Sequence, residues 1–337
     1  AATLLAGASR IKQASTSTGG TLQINPRLAW RCDEFKRPGN IASVLDARDS
    51  NEISGYAIFD GWQTMGMVTS EGKLARRERL GLAENEAATT VRQTNGGPQQ
   101  WFSIFSPYGQ ASYIFNREFS EPVRVTLDSG QKIRDVRFSD LDKNGVSEVL
   151  MAIEGGGIEI IDPASGDRQQ ISTVACESLV GFAGDVLVLR QGKVKAIKSD
   201  KELNEALVKE SGWTVSNMET VSDKQLLVTG KNRAGKWSAM AFDDQLNRLW
   251  TLEIGPQMYE GTLQPIAVTQ WRQDFVWAIA DSNHLVQLVT GSGKWIGEFQ
   301  SKAPISGMAL SQQTDDVFLT IASDTGIESW ALQLKSE

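Results

Sequence analysis

Asp140-Leu141-Asp142-Lys143-Asn144-Gly145-Val146-Ser147-Glu148 places oxygen-bearing side chains at positions 1, 3, 5 and 9 of a nine-residue run, with glycine at position 6. That spacing suits a hard cation such as Ca²⁺, which takes six to eight oxygens from a tight loop of alternating side chains and a main-chain carbonyl. The expected ligands are Asp140, Asp142, Asn144 and Glu148, with the Val146 carbonyl between them. Gly145 supplies the positive φ that folds such a loop back on itself. The other reading is a polar turn, since Asp, Asn and Gly form turns without any ion. An EF-hand is excluded: position 12 is Met151, and the apolar run Val149-Leu150-Met151-Ala152 that follows reads as a buried strand.

Catalytic constellations are scarce. The single histidine, His284, rules out a histidine-rich metal site and an HExxH pair, and a lone histidine in a strand-turn context reads as a turn or packing residue. Neither a GxSxG nucleophile elbow nor a GxxxxGK[ST] phosphate loop occurs. Gly155-Gly156-Gly157 reads as a hairpin, because no helix follows it to make a phosphate cradle. Catalytic and cofactor-binding residues are therefore assigned to none of the positions. Carboxylates are numerous, and a pair meeting across a channel could serve a glycosidase or lyase. That is the alternative to a binding role, and the sequence does not say which pair would meet.

The elements that position these residues are short strands. From Ile41 onward the chain runs Ile41 to Ala47, Gly55 to Phe59, Met65 to Thr69 and Leu74 to Leu80, separated by turn residues, which is an antiparallel meander. The scheme recurs in units beginning near residues 41, 88, 133, 175, 216 and 265, with a shorter unit at 304–334. Asp200 to Leu207 aligns with Asp243 to Trp250, an Asn204-to-Asn247 offset of 43 (247 − 204), and Gly157-Ile158-Glu159 recurs as Gly326-Ile327-Glu328. A period of about 40–45 with four strands is the signature of propeller blades. The alignment overrides the helix formers of Lys201 to Glu210 and predicts a turn and outer strand there, because propensity yields to tertiary context.

The last unit has three strands, so a fourth must come from elsewhere. Residues 21–32 are the candidate, with Leu28-Ala29-Trp30 echoing Arg248-Leu249-Trp250. A strand lent by one terminus to the blade at the other closes a ring and removes its edges. The expectation is one all-β domain over residues 1–337, a seven-bladed β-propeller of four-stranded antiparallel blades; eight blades stay open if residues 1–40 hold more strands.

Bulk composition narrows the partners. The chain has 337 residues, 40% of them hydrophobic, with 10 Trp and 31 Gly. A net charge of −7 argues against a nucleic-acid partner, which calls for a basic surface. No apolar run is long enough for a membrane span. Cys32 and Cys176 could form one disulfide or stay as two buried thiols. The small, apolar start, Ala1 to Ala8, lacks a basic leader region and reads as the remnant of a cleaved signal or a trimmed start. Most tryptophans read as packing between blades, with Trp62 and Trp271 nearest predicted loops as candidates for stacking on a protein or polysaccharide partner.

Residues 133–167, with Val136-Arg137-Phe138-Ser139-Asp140-Leu141-Asp142-Lys143-Asn144-Gly145 and Gly155-Gly156-Gly157-Ile158-Glu159-Ile160-Ile161-Asp162-Pro163, resemble the FG-GAP/VCBS type of propeller repeat. The units from residue 216 are more loosely similar to quinoprotein-like (PQQ-type) repeats, with Phe242-Asp243 before a turn and Leu249-Trp250 after it. The first resemblance implies a Ca²⁺-binding acidic loop. Together they imply a binding or scaffold module outside the cytoplasm, periplasmic or secreted. The adjacent cysteine pair and larger chain of quinoprotein dehydrogenases are not here, which puts that activity in doubt.

Overall fold

The computed structural model describes residues 24–36, 38–46, 53–94, 99–198, 212–221, 223–256, 266–313 and 316–333. Its elements are all strands, arranged as seven antiparallel sheets in a ring. Blade 1 holds β2 (Ile41–Leu45), β3 (Ile53–Phe59), β4 (Thr64–Thr69) and β5 (Leu74–Arg79), preceded in the chain by β1 (Arg27–Cys32). Blade 2 holds β6 (Thr90–Gln93), β7 (Trp101–Phe105), β8 (Ala111–Asn116) and β9 (Val123–Thr126). Blade 3 holds β10 (Ile133–Ser139), β11 (Glu148–Ile153), β12 (Gly157–Ile161) and β13 (Arg168–Ser172), and blade 4 holds β14 (Ser178–Phe182), β15 (Asp185–Arg190) and β16 (Lys193–Ala196). Blade 5 holds β17 (Thr214–Val221), β18 (Gln225–Lys231), β19 (Trp237–Phe242) and β20 (Arg248–Ile254). Blade 6 holds β21 (Ile266–Trp271), β22 (Asp274–Ala280), β23 (Leu285–Thr290) and β24 (Trp295–Gln300). Blade 7 takes β25 (Ile305–Gln313), β26 (Asp316–Ser323) and β27 (Gly326–Ala331) from the end of the chain and β1 from its start.

Every blade begins within three residues of the position that the repeat predicts. Blade 4 shows three strands among the described residues. The outer strand expected over Lys201 to Glu210 lies outside them.

The core is distributed between the blades. Seven hydrophobic clusters each draw on two neighbouring sheets, and the set runs once round the ring. This explains why central strands are apolar on both faces. On β11, Val149, Met151 and Ile153 pack toward blade 2 while Leu150 and Ala152 pack toward blade 4. Period-2 alternation sends neighbours to opposite interfaces, and both interfaces are dry. On β22, Val276, Ala278 and Ala280 face blade 7 while Trp277 and Ile279 face blade 5. The Trp277 indole N–H donates to Gln225 Oε1 at 2.6 Å, which satisfies the polar atom of this fully buried ring.

The seam closes as the sequence predicts. β1 pairs antiparallel with β27, with Arg27 opposite Ala331 and Cys32 opposite Ile327. Trp30 then leans onto blade 1, where its ring lies 5.6 Å from that of Tyr56. The Tyr56 hydroxyl is 2.8 Å from Ser311 Oγ of blade 7, a buried bond across the seam. The echo between Trp30 and Trp250 has a structural counterpart. Each projects from the outer strand of one blade onto a glycine in the last turn of the next, Gly72 for Trp30 and Gly293 for Trp250. Both glycines have positive φ, 84° and 88°, and a Cβ on either would lie 2.6 Å from the indole. The Trp250 N–H also donates to the Gly291 carbonyl at 2.8 Å. Gly293→Ala is therefore expected to lower stability by about 1–2 kcal/mol from the left-handed backbone alone, and by more once Trp250 is displaced. Urea denaturation of the variant beside wild type measures this.

Cys32 and Cys176 are both buried and free, so the possible disulfide is not formed. Burial, with Asp135 and Glu177 nearby, pushes the Cys176 thiol up to about 12, which keeps it protonated and inert.

Candidate functional site

The acidic loop joins β10 to β11, the innermost and second strands of blade 3. Lys143 and Gly145 both adopt positive φ, 60° and 89°, and the chain turns back there. The loop is cross-linked by its own side chains. Asp140 Oδ2 accepts from Gly145 N at 2.9 Å, Asp142 Oδ1 from Asn144 N at 3.1 Å, and Asn144 Oδ1 from Val146 N at 2.7 Å. Glu148, the first residue of β11, reaches back to accept from Leu141 N at 2.9 Å.

The structure brings three of the expected ligands together: carboxylate oxygens of Asp140, Asp142 and Glu148 lie within 4.8 Å of one another. Asn144 joins the loop through its Nδ2, which donates to Asp142 Oδ2 at 2.9 Å. Val146 turns its side chain to solvent. Asp140 Oδ1 is buried and has no hydrogen-bond partner. Partial burial, and then the charges of Asp142 and Asp140, raise Glu148 above the usual carboxylate range. Three crowded carboxylates with a buried, unpartnered oxygen form a donor set that fits a hard divalent cation.

A second constellation was not legible beforehand. The innermost strands of all seven blades line a central cavity of about 60 Å³. On one side of it, Arg137 joins two carboxylates from different blades. Its Nε donates to Asp135 Oδ2 at 3.1 Å, and its Nη1 to Glu219 Oε2 at 2.6 Å. Asp135 also accepts from Ser178 Oγ at 2.5 Å and from Val136 N at 3.0 Å. Arg137 and Arg92 hold Asp135 below the ordinary carboxylate range against the opposing pull of its burial. The network ties strands of blades 2, 3, 4 and 5. Asp135-Val136-Arg137 carried a usable signal: two opposite charges at i and i+2 point to one face of a strand whose neighbours are apolar.

The tryptophan expectations divide. Trp62 is 55% exposed, as its loop position suggested. Trp271 is corrected: it ends β21 and is only 7% exposed, packed into the blade 6–7 core with the Arg272 guanidinium 4.8 Å from its ring. The side chain at the end of a strand still alternates inward, so nearness to a loop did not mean exposure. His284 sits at a left-handed turn position, φ 64°, with its N–H donating to the Asp281 carbonyl at 3.1 Å.

Tyr108, 53% exposed, was not singled out from sequence. It lies in the β7–β8 turn, and Trp62 lies in the equivalent β3–β4 turn of the preceding blade. Both turns open on the same face of the disc as the connection from β5 to β6, which passes between them. Trp62 O accepts from Ala88 N at 2.6 Å, and Ser106 Oγ donates to the Ala87 carbonyl at 2.7 Å. Gln63 Nε2 donates to the carbonyls of Ala83, Glu84 and Glu86, at 3.0, 3.3 and 3.1 Å. The Tyr113 hydroxyl bonds Glu86, which also pairs with Arg124 at 3.3 Å. Two solvent-facing aromatics are thus mounted on fixed turns. Because consecutive strands reverse direction, the acidic loop lies on the opposite face.

No family model matches the sequence, and no curated protein matches it. Solved structures are similar in fold. BBS1N, crystallised in complex with ARL6DN, is 12% identical with a TM-score of 0.62, over 92% of this chain and 97% of that one. Raptor of Chaetomium thermophilum is 16% identical with a TM-score of 0.64, over 94% of this chain and 30% of that one. The RRP9 WD40 repeats are 8% identical with a TM-score of 0.60, over 96% and 100%. At these identities the likeness speaks for the propeller fold.

Proposed function

We propose that this propeller is a non-enzymatic binding or scaffold module whose partner is a protein, docked on the face that carries Trp62 and Tyr108. The observation that carries this reading is the exposure of two large aromatics on adjacent, hydrogen-bonded turns. Exposed Trp and Tyr on a rigid support are what interface anchors are made of, since little side-chain entropy is lost on contact. That BBS1N was crystallised with a second protein is in keeping with it. The test is to compare the intact chain with Trp62→Ala/Tyr108→Ala as immobilised bait. A specific partner should be retained by the first and lost by the second, with affinity down about 30-fold or more, as for loss of a 2 kcal/mol anchor. The double variant should melt close to wild type, because both rings are more than half exposed and the Arg134 guanidinium over the Tyr108 ring, at 4.5 Å, is a surface contact worth about 0.5–1 kcal/mol. Retention of the same protein by the variant would sink the proposal, and retention of a polysaccharide alone would redirect it to sugar stacking.

The 140–148 loop is proposed to bind Ca²⁺ through Asp140, Asp142, Asn144, Glu148 and the Val146 carbonyl, as a brace for one connection of blade 3. The converging carboxylates and the unpartnered Asp140 oxygen support it. Adding Ca²⁺ to chelator-treated protein should raise the melting temperature, and Asp142→Ala should erase that rise; an unshifted wild type refutes it. The location proposed, outside the cytoplasm, rests on the repeat resemblance and on the millimolar calcium that favours open loops of this kind. The lyase or hydrolase alternative draws less support, because the channel carboxylates Asp135 and Glu219 are both engaged by Arg137.

A further inference from the structure

Two tyrosines of blade 2 are covered by arginines of the chain itself, each arginine backed by a carboxylate. Arg134 lies over the Tyr108 ring at 4.5 Å and pairs with Glu154 at 3.8 Å. Arg124 lies over the Tyr113 ring at 5.7 Å and pairs with Glu86 at 3.3 Å. The layering of ring, guanidinium and carboxylate suits arginine, whose flat, weakly hydrated head stacks on a ring while its edge donates to oxygen.

Trp62 has the ring and the carboxylates without the cation. It is 55% exposed, the most exposed of the large apolar side chains described, and no described Arg or Lys lies over its ring. Asp60 Oδ1 accepts from Trp62 N at 2.8 Å and from Thr64 N at 3.1 Å, which fixes that carboxylate in the turn that carries the indole. Glu84 is tied to the same turn through Gln63, whose Nε2 donates to the Glu84 carbonyl at 3.3 Å. Asp60 and Glu84 are both exposed, and neither pairs with a described Lys or Arg. Residues 80–89, which pass between the two aromatic turns, include Glu84 and Glu86 and no Lys or Arg. A rim of this sign attracts a basic partner and repels an acidic one.

We propose that the protein partner presents an arginine to this face, its guanidinium on the Trp62 indole and its edge toward Asp60 and Glu84. This rests on the reading that a protein docks at Trp62 and Tyr108, and it names that partner's chemistry: a basic segment that supplies on Trp62 the layer which Arg134 and Arg124 supply on the tyrosines. The probe is the peptide Ac-Gly-Arg-Gly-Arg-Gly-NH2, titrated at constant ionic strength into the full chain labelled on its indole nitrogens. The readout is the indole N–H resonance of Trp62, identified as the one missing from Trp62→Phe. It should move saturably with the arginine peptide. The same peptide with citrulline, which keeps the shape without the charge, or with glutamate should leave it in place. Asp60→Asn/Glu84→Gln, which keeps an acceptor oxygen for the Trp62 turn, should weaken the arginine peptide about fivefold, the order expected for two exposed carboxylates. An unmoved resonance, equal movement by the citrulline peptide, or undiminished binding by the charge variant overturns the proposal. Failure of the underlying reading looks different. A protein held alike by the intact chain and by Asp60→Asn/Glu84→Gln, yet lost by Trp62→Ala/Tyr108→Ala, would overturn the arginine and keep the docking face; a protein indifferent to the aromatics would overturn both.

Discussion

Arg137→Met is expected to lower the unfolding free energy by about 3–5 kcal/mol at neutral pH, the penalty for removing one partner from a buried ion-pair network. The size follows from what is left behind. Asp135 and Glu219, both nearly enclosed, would lose the guanidinium that each contacts directly, at 3.1 and 2.6 Å. The pH response should change sign with the substitution. In wild type, Asp135 is held below its ordinary value. Its contribution is therefore fully present above about pH 4, the unfolded carboxylate range, and is lost as pH falls through its lower folded value. Wild type should owe no stability change to this residue between pH 8 and pH 5. In the variant only the more distant Arg92 remains to oppose burial, and Asp135 rises instead. Protonation then favours the folded state, so the deficit should narrow as pH falls from 8 to 5. Urea titrations of both proteins at the two pH values make the comparison. A deficit of equal size at both would mean that lost packing, and not uncompensated charge, is the cause.

The second large effect concerns the closing strand. A chain shortened to begin at residue 34 loses β1, and with it the burial of Cys32, the Trp30 contact on Tyr56 and Gly72, and the ladder to β27. The side-chain burial alone is worth about 3 kcal/mol. The larger consequence is a bare β27 edge, a template for pairing with other chains. The shortened protein should melt well below wild type and elute as larger species than wild type in size-exclusion chromatography. A synthetic peptide spanning residues 24–36, added in excess, should restore the wild-type elution volume. Wild-type-like melting and elution of the shortened chain would mean that the seam is held by Tyr56 and Ser311 without the strand.

What the sequence revealed and what it hid follow from the range of the interactions. Blade starts were readable because turn residues punctuate strands locally, and the closing strand was readable because Leu28-Ala29-Trp30 echoes Arg248-Leu249-Trp250. That echo proved to be one packing device, an indole laid on a turn glycine. The acidic loop was readable because its oxygens lie within nine residues. The channel network was hidden because Arg92, Asp135, Ser178 and Glu219 sit on four consecutive blades, and only the packing of those blades round the channel brings them together. Exposure of single aromatics was half readable. Trp62 follows its loop, whereas Trp271 follows the alternation of its strand into the core. Tyr108 carried no local signal at all; the equivalent turn that holds Trp62 lies one blade away.

The register of β1 on β27 has a mechanical consequence. Arg27 lies opposite Ala331, so the first residue of β1 and the last of β27 sit side by side at one end of their ladder. Tension applied between them would load the ladder one rung at a time from that end, as a zipper is opened, instead of shearing all its hydrogen bonds together. A disc hauled on by both flanks would therefore yield first at this seam and at low force, while a load borne through one flank alone would leave the ring untouched.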